Sequence, residues 1–414
     1  MVNVAILGYG VVGSGVAEVI KKNSESIRQR AGTDIRVKWI LDIRDFPDSP
    51  DKDVLTKNAD DVFNDSEVSI VVETIGGARI AHDFTKRALM AGKSVVTSNK
   101  ELVATHGPEL LQMAKENGVS YLFEASVGGG IPIIRPLNQC LAANEINGIT
   151  GILNGTTNYI LTQMKKEGKS FETALKEAQQ NGYAEQNPTA DVEGHDACRK
   201  IAILSSIAYN EFVDSENIYT EGITKITVDD MKYADAIGGV IKLIAVSKKA
   251  DGKVFARVSP AIVPNEHPLS NVEDVFNAIV VNGDAVGDAM FYGRGAGKLP
   301  TASAVVADVI DIAKHPESGT TGVWVRNSEN NILSIEESTT KYLVRVKAEN
   351  TADAKKNIIS IFGETEFVEL HSKVKDSEFA FVSDKTAESE FNTKFDKLES
   401  VPDITVLNRI RIED

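Results

Sequence analysis

The sequence predicts an α/β protein. A Rossmann-type, doubly wound parallel sheet comes first, an α+β domain second, and a βαββαβ unit of the ferredoxin-like kind last. Three observations carry this. The chain opens on a strand, a glycine turn and a helix: residues 2–7 are apolar, Gly8-Tyr9-Gly10-Val11-Val12-Gly13 follows, and Val16, Val19 and Ile20 then recur at helical spacing. Apolar strands alternate with helical segments up to about residue 130. The last seventy or so residues switch period in the order β, α, β, β, α, β.

In the opening unit Gly8 permits a tight turn, Gly10 lets backbone amides approach a pyrophosphate, and Gly13 lets the helix pack close to the strand. The first-turn amides, those of Val11 and Val12 among them, are ready donors to phosphate. The second strand covers residues 35–43. Asp42 near its end would grip the 2′-hydroxyl of NAD, while Arg44 would accept the 2′-phosphate of NADP. Asp45 and Asp48 make the place less welcoming to a phosphate, so cofactor choice stays open.

The alternation continues. Residues 68–74 form a strand ending in Ile75-Gly76-Gly77, and residues 81–91 a helix stopped by Gly92. Residues 94–97 form a strand ending in Ser98-Asn99-Lys100, and residues 109–117 a helix stopped by Gly118. A strand at 121–123 runs into Glu124-Ala125-Ser126-Val127-Gly128-Gly129-Gly130. Ligands of such sheets lie beyond the carboxyl ends of the strands, so Gly8, Gly76, Lys100 and Glu124 are expected to line one crevice.

From Ile131 the pattern changes. Residues 132–141 read as a helix, 146–153 as a strand and 159–168 as a helix. Between the last two, Asn154-Gly155-Thr156-Thr157-Asn158 is either a carboxylate-binding loop or a helix-capping turn. Residues 178–200 are the densest stretch: Glu185, Asp191, Glu193 and Asp196 precede Lys200 and the apolar run 201–204. Asp196 and Lys200 are i and i+4 on one helix, so they share a face. Such a pair can be a solvated ion pair. Set in a loop with a Gly and a Pro, it can also hold a small zwitterion or move a proton. A second glycine cluster, Gly293-Arg294-Gly295-Ala296-Gly297, opens an apolar helix at 302–313 that is expected to return to the nucleotide domain. These readings divide the chain into a dinucleotide-binding domain at 1–130 (completed by about 295–320), a substrate and dimerisation domain at 131–294, a break at 315–340 and a terminal unit at 341–414.

The formal net charge of −15 and the lack of any basic block argue against nucleic acid and membrane surfaces as partners. The sequence holds no apolar run of transmembrane length and leaves no room for a signal peptide before its first strand. Cys140 and Cys198 stand alone, which suits a reducing cytoplasm and offers no zinc spacing.

With these residues in place, the whole chain resembles the homoserine dehydrogenase family. Ala178, Gly182-Tyr183-Ala184, Asn187-Pro188, Asp191-Val192, Gly194, Asp196 and Lys200 fit every position of that family's signature. The glycine turn, Thr97-Ser98-Asn99-Lys100, the Glu124–Gly130 stretch, Gly151–Tyr159 and Gly293–Gly297 are similar to its flanking motifs. The resemblance implies reversible oxidation of L-homoserine to L-aspartate 4-semialdehyde with NAD or NADP, on the route to threonine and methionine. It implies Lys200 as proton donor to the carbonyl oxygen and Lys100 as a second basic group by the nicotinamide. It implies Asp196 and Glu185 at the substrate's hydroxyl and ammonium ends, with Asp191, Tyr183 and Thr156 nearby. Gly8, Gly10, Val11, Val12, Gly13, Arg44, Gly76, Ser98, Lys100 and Gly297 would line the cofactor. Glu124 with Val127, Gly129 and Ile131 would hold a monovalent cation, usually sodium. It further implies dual cofactor use with a mild NADP bias, and a homodimer or a homotetramer built from dimers.

Two places depart from the family pattern. The Asp42/Arg44 region is not the usual basic NADP anchor. The terminal unit is similar to an ACT module, yet its first turn, Ala348-Glu349-Asn350-Thr351-Ala352-Asp353, has neither Pro nor Gly. It is therefore expected to keep its fold and to sense threonine poorly. Two rival readings stand beside this one: another two-domain dehydrogenase of an amino or hydroxy acid, and a dinucleotide-sensing regulator that would not need Asp196, Lys200 and Lys100 together.

Overall fold

The structure, a computed structural model, describes residues 1–250, 252–320, 322–326, 331–370 and 377–413. In chain order it begins β1 (Val2–Leu7), α1 (Val11–Lys22), α2 (Ser24–Ala31), β2 (Ile35–Leu41), β3 (Leu55–Thr56), α3 (Asp60–Phe63) and β4 (Val68–Glu73). Then come α4 (Arg79–Met90), β5 (Ser94–Thr97), α5 (Lys100–Glu116), β6 (Tyr121–Leu122), β7 (Ile146–Ile152), α6 (Gly155–Glu167) and α7 (Phe171–Gln180). The middle continues with α8 (Thr189–Val192), α9 (His195–Tyr209), β8 (Tyr219–Thr220), α10 (Val228–Ala236), β9 (Gly239–Ala250) and β10 (Lys253–Pro264). After β11 (Phe276–Gly283), β12 (Gly287–Arg294) and α11 (Lys298–Lys314), the chain ends in β13 (Thr339–Ala348), α12 (Thr351–Phe362), β14 (Glu366–Val368), β15 (Glu378–Val382), β16 (Thr386–Ala387), α13 (Glu388–Glu399) and β17 (Ile404–Ile412).

The chain divides into two compact units. The first comprises Met1–Asn147, Arg199–Asn217 and Ile279–Asn330. Its sheet has the order β3-β2-β1-β4-β5-β6, and every neighbouring pair is parallel. Val4, Ala5, Ile6 and Leu7 are all buried, as a strand covered on both faces requires. The order reverses between β1 and β4, where doubly wound sheets take their ligand. Helix α11 lies in the same core as α1, with Val305 and Val309 among Val16 and Ile20. Gly15 makes that approach feasible: a Cβ there would stand 2.9 Å from the Lys298 carbonyl oxygen.

Three elements differ from the sequence expectation. Helix α6 starts at Gly155, not Tyr159, because Asn154 caps it. Helix α5 starts at Lys100, not Glu109, because the Asn99 side chain accepts from the Leu102 amide at 3.0 Å and caps it. The helix then runs through Pro108. The helix expected at 132–141 is reduced to a π-helical turn at Pro136–Cys140. The amides of Ile133, Ile134 and Arg135, just ahead of it, donate to the Glu124 carboxylate instead.

The second unit comprises Gly148–Cys198, Ile218–Ala278 and Asn331–Asp414. Its sheet runs β7-β9-β10-β17-β13-β15-β14. Apart from the two-residue β16, which pairs with the start of β13, the terminal segment has the expected βαββαβ order, and its main strands lie β17-β13-β15-β14 with antiparallel neighbours. Tyr342, Val344 and Val346 of β13 alternate into a core with Phe381 and Phe391, and the Tyr342 and Phe391 rings stack with centroids 4.0 Å apart. Strand β17 pairs antiparallel with β13 and parallel with β10, so the terminal segment continues the sheet of the rest of this unit. Ion pairs add to the join: Arg411 to the half-buried Glu221, and Arg345 to the buried Asp230; within the terminal segment Arg411 also pairs with the buried Glu388. Part of the expected break (residues 321 and 327–330) and residues 371–376 and 414 of the terminal unit lie outside the described residues.

Candidate active site

The glycine turn is built by contact. Gly8 has φ +92° and lies against Thr74, whose hydroxyl donates to the Gly8 carbonyl at 2.9 Å. A Cβ on Gly13 would stand 1.9 Å from the Gly8 carbonyl oxygen, so no other residue fits there. At Gly10 the space is open, and only the tip of Arg44 comes within 3.9 Å of an added Cβ. Gly10 is also the N-cap of α1; no side chain caps it, and no acid occupies the first turn. The amides of Val11 and Val12 therefore open a helix whose positive end suits a diphosphate. These residues fit a dinucleotide.

Beyond β2, Asp42 is buried and accepts from the amides of Tyr9 (2.7 Å) and Arg44 (2.9 Å). Arg44 adds a two-pronged bond from Nε (3.0 Å) and Nη2 (2.8 Å). These hydrogen bonds, that of the guanidinium first, hold the Asp42 carboxyl well below the usual carboxylate range. Asp42 and Arg44 share a cavity of about 380 Å³ with Lys52 and Lys57, two cations that the sequence reading passed over. Their signal was weak, because both lie more than seven residues past the motif in an irregular segment.

At the next strand ends, Glu73 is fully buried. Its carboxylate accepts from the Ile75 amide (2.6 Å) and the Thr97 hydroxyl (2.5 Å), and burial pushes its pKa up to about 7. The Thr97 hydroxyl accepts from the Asn99 amide at 2.9 Å. The Asn99 side chain reaches back to the carbonyls of Ile75 (3.0 Å) and Gly77 (2.8 Å) while capping α5. Gly76, Ser98 and Lys100 are thus gathered by one network, with Lys100 the first residue of α5. Glu73 was not singled out by sequence; an acid closing an apolar strand is the signal that would have found it.

Glu124, buried at the end of β6, gives both carboxylate oxygens to three amides: Ile133 (2.6 Å), Ile134 (2.9 Å) and Arg135 (2.7 Å). The residues after it form a tight turn, where the Ile131 amide donates to the Gly128 carbonyl at 2.9 Å. Val127, Gly129 and Ile131 are buried, and among the described residues their carbonyls accept no hydrogen bond. Main-chain carbonyls without an internal donor suit a hard cation. Gly129 abuts the glycine cluster before α11: a Cβ there would lie 2.2 Å from the Gly295 carbonyl oxygen. Gly297, φ +127°, is the N-cap of α11.

In the second unit, Asn154 caps α6 through its side-chain oxygen, which accepts from the Thr157 amide at 2.8 Å. Its two N–H bonds reach Asp191 (2.7 Å) and Asp196 (2.9 Å). The polar loop after β7 is therefore a capping turn, and its first residue joins two acids 37 and 42 positions away. Asp196 is buried near the start of α9, and Lys200, one helical turn on along the same helix and also buried, belongs to the first unit. The Thr156 hydroxyl donates to the Tyr183 carbonyl at 2.6 Å, and the Tyr183 ring rests edge-on against Tyr159. Tyr183 and Glu185 are exposed on the loop between α7 and α8. Asn154 is the residue that the sequence reading undervalued, because its partners are remote in the chain.

Two family profiles match the chain: one described as "Homoserine dehydrogenase, NAD binding domain" over residues 8–124, and one described as "Homoserine dehydrogenase" over residues 132–310. A homoserine dehydrogenase of Bacillus subtilis (strain 168) is 39% identical over 99% of this chain and 97% of its own length. One of Corynebacterium glutamicum is 37% identical over 100% of this chain and 96% of its own. Among solved structures, a homoserine dehydrogenase from Thiobacillus denitrificans superposes with a TM-score of 0.90 at 38% identity, covering 100% of this chain and 98% of that one. A hyperthermophilic archaeal homoserine dehydrogenase in complex with NADPH superposes with a TM-score of 0.65 at 31% identity, covering 77% of this chain and 99% of that one.

Proposed function

The chain belongs to the homoserine dehydrogenase family, and from that premise we propose how its own residues carry the NAD(P)-dependent interconversion of L-homoserine and L-aspartate 4-semialdehyde. The observation that carries the proposal is the Asn154 amide holding Asp191 and Asp196 together at the mouth of the helix that bears Lys200. NAD(P), when bound, takes up or gives the hydride. Gly8, Gly10, Val11, Val12, Gly13, Gly76, Ser98 and Gly297 would hold it, the α1 amides at the diphosphate. Lys200 takes the hydroxyl proton during oxidation and returns it to the carbonyl oxygen during reduction. Asp196 shares a helix face with Lys200 and holds the hydroxyl end of the substrate. Lys100 is a second cation, fixed by the Asn99 cap. Glu185 meets the ammonium group, with Asp191, Tyr183 and Thr156 shaping that end; Thr156 acts through the Tyr183 carbonyl.

The orphan carbonyls of Val127, Gly129 and Ile131 support a sodium site. Glu124 would add its main-chain carbonyl, since its carboxylate is taken. Arg44, Lys52 and Lys57 around one cavity, and a relative solved with NADPH, support dual cofactor use with a mild NADP bias. We assign dinucleotide binding to residues 1–130 with 295–320, substrate binding to 131–294 and an ACT-like role to 341–414. None of the eight residues of β12 is buried, and Met290 and Tyr292 are exposed on it, which supports a second copy covering this strand in a homodimer or a homotetramer. A reducing cytoplasm suits the free thiols of Cys140 and Cys198. The test is NAD(P)H formation from L-homoserine with each cofactor, run beside Lys200→Met. A variant as active as the parent would remove Lys200 from the mechanism.

A further inference from the structure

We propose that His82, His106 and Glu109 form a divalent transition-metal site, of the zinc class, that clamps α4 to α5. Helical spacing assembles it. His106 and Glu109 are i and i+3 on α5, so they share a face, and His82 comes from the adjoining α4. One donor atom from each residue lies within 4.8 Å of the other two. The Glu109 Oε2 atom is 2.9 Å from His82 Nε2 and 3.9 Å from His106 Nδ1. A metal about 2.0–2.2 Å from each nitrogen and oxygen spans such gaps.

The donor set selects the ion. Two imidazoles and one carboxylate suit zinc and its neighbours, whereas magnesium and calcium prefer oxygen alone. Three protein donors leave a fourth position for water. At 3.9 Å the His106 Nδ1 atom is too far from Glu109 for a hydrogen bond.

Two adjustments accompany binding. The imidazoles stack with centroids 3.9 Å apart at 21°, and each must turn about its Cβ–Cγ bond until its plane contains the ion. Lys86, which holds Glu109 Oε1 at 2.7 Å, competes for the carboxylate without blocking Oε2. Access is open: a cavity of about 580 Å³ is lined by Gly77, Arg79, Asp83 and Glu101 together with His82 and His106. Cys140 and Cys198 contribute nothing to this cluster.

The experiment titrates chelator-stripped full-length protein with Zn²⁺ against a chromophoric zinc indicator, with Mg²⁺ as the contrast, and follows thermal unfolding in parallel. The expected result is one Zn²⁺ per chain at this site, a raised Tm, and no response to Mg²⁺. His82→Ala and His106→Ala should each weaken that binding at least about tenfold and abolish the Tm rise. Lys86→Met should bind as well as the parent or better. Absence of stoichiometric Zn²⁺ binding, or binding undiminished in both histidine variants, overturns the proposal. Neither readout depends on catalysis.

Discussion

The Thr97 hydroxyl donates a 2.5 Å hydrogen bond to the Glu73 carboxylate, across the pair of strands whose ends carry the Gly76 turn and the Lys100 helix. The acid is fully buried, and its pKa rises from 4.5 to about 7. Folded chain therefore keeps a proton that unfolded chain has already lost. That contribution is complete below about pH 4.5 and disappears as the pH rises through about 7. Its full size is on the order of 3 kcal/mol. Urea unfolding of the parent should show stability falling across this window, and Glu73→Gln, neutral at every pH, should show a flatter profile. Equal slopes for the two would mean that Glu73 does not titrate there.

Lys200→Met should bind dinucleotide normally and lose turnover. Its glycine turn is untouched, while loss of a general acid typically costs about 10²–10⁴ in rate. Fluorescence titration with NADPH separates the two effects. Weakened cofactor binding with unchanged kcat would reverse the assignment.

Asn154→Ala should lower both stability and kcat. It removes the α6 cap, worth about 1 kcal/mol, and it leaves Asp191 and Asp196 without their shared donor. Asp196→Asn should lower kcat, and Glu185→Gln, at an exposed position, should chiefly raise KM. Identical kinetic profiles for the last two would dissolve this division of labour.

Arg44→Ala frees Asp42 of its bidentate partner but leaves it two backbone amides. NADP binding should weaken by about 10–100-fold, the worth of a charge-assisted bond, with NAD binding nearly unchanged. Comparable losses with both cofactors would show that Arg44 only buttresses the turn.

Deleting residues 341–414 should destabilise the second unit rather than merely deregulate it. The cut strips β17 from β10 and takes the Arg411 guanidinium away from Glu221. Arg411→Ala alone should cost about 3–5 kcal/mol, since it leaves the buried Glu388 unpaired. Millimolar threonine should inhibit weakly or not at all, because the β13–α12 turn is closed on itself: the Asn350 side chain caps α12 and donates to Asp353 at 2.7 Å. Strong threonine inhibition that vanishes with the deletion would refute this.

What the sequence determined by itself was whatever local backbone demands dictate. Gly8 and Gly13 are written into the chain because a positive φ and a 1.9 Å clash admit nothing larger. The parallel sheet followed from strands that alternate with helices, and the Asp196/Lys200 face from the pitch of one helix. The terminal βαββαβ order followed from a change of period. Tertiary structure alone decided the partners. Asn154 meets Asp191 and Asp196 across 37 and 42 residues, Glu73 meets Thr97 across 24, and Glu124 spends its carboxylate on amides that otherwise read as the start of a helix. Nor could periodicity announce that β17 would lie between β10 and β13, because its alternation fits any neighbour of like pleat. Residue type fixes the conformation a backbone can adopt; which donor finds which acceptor depends on how distant segments are brought together, and that is settled only when the chain has packed.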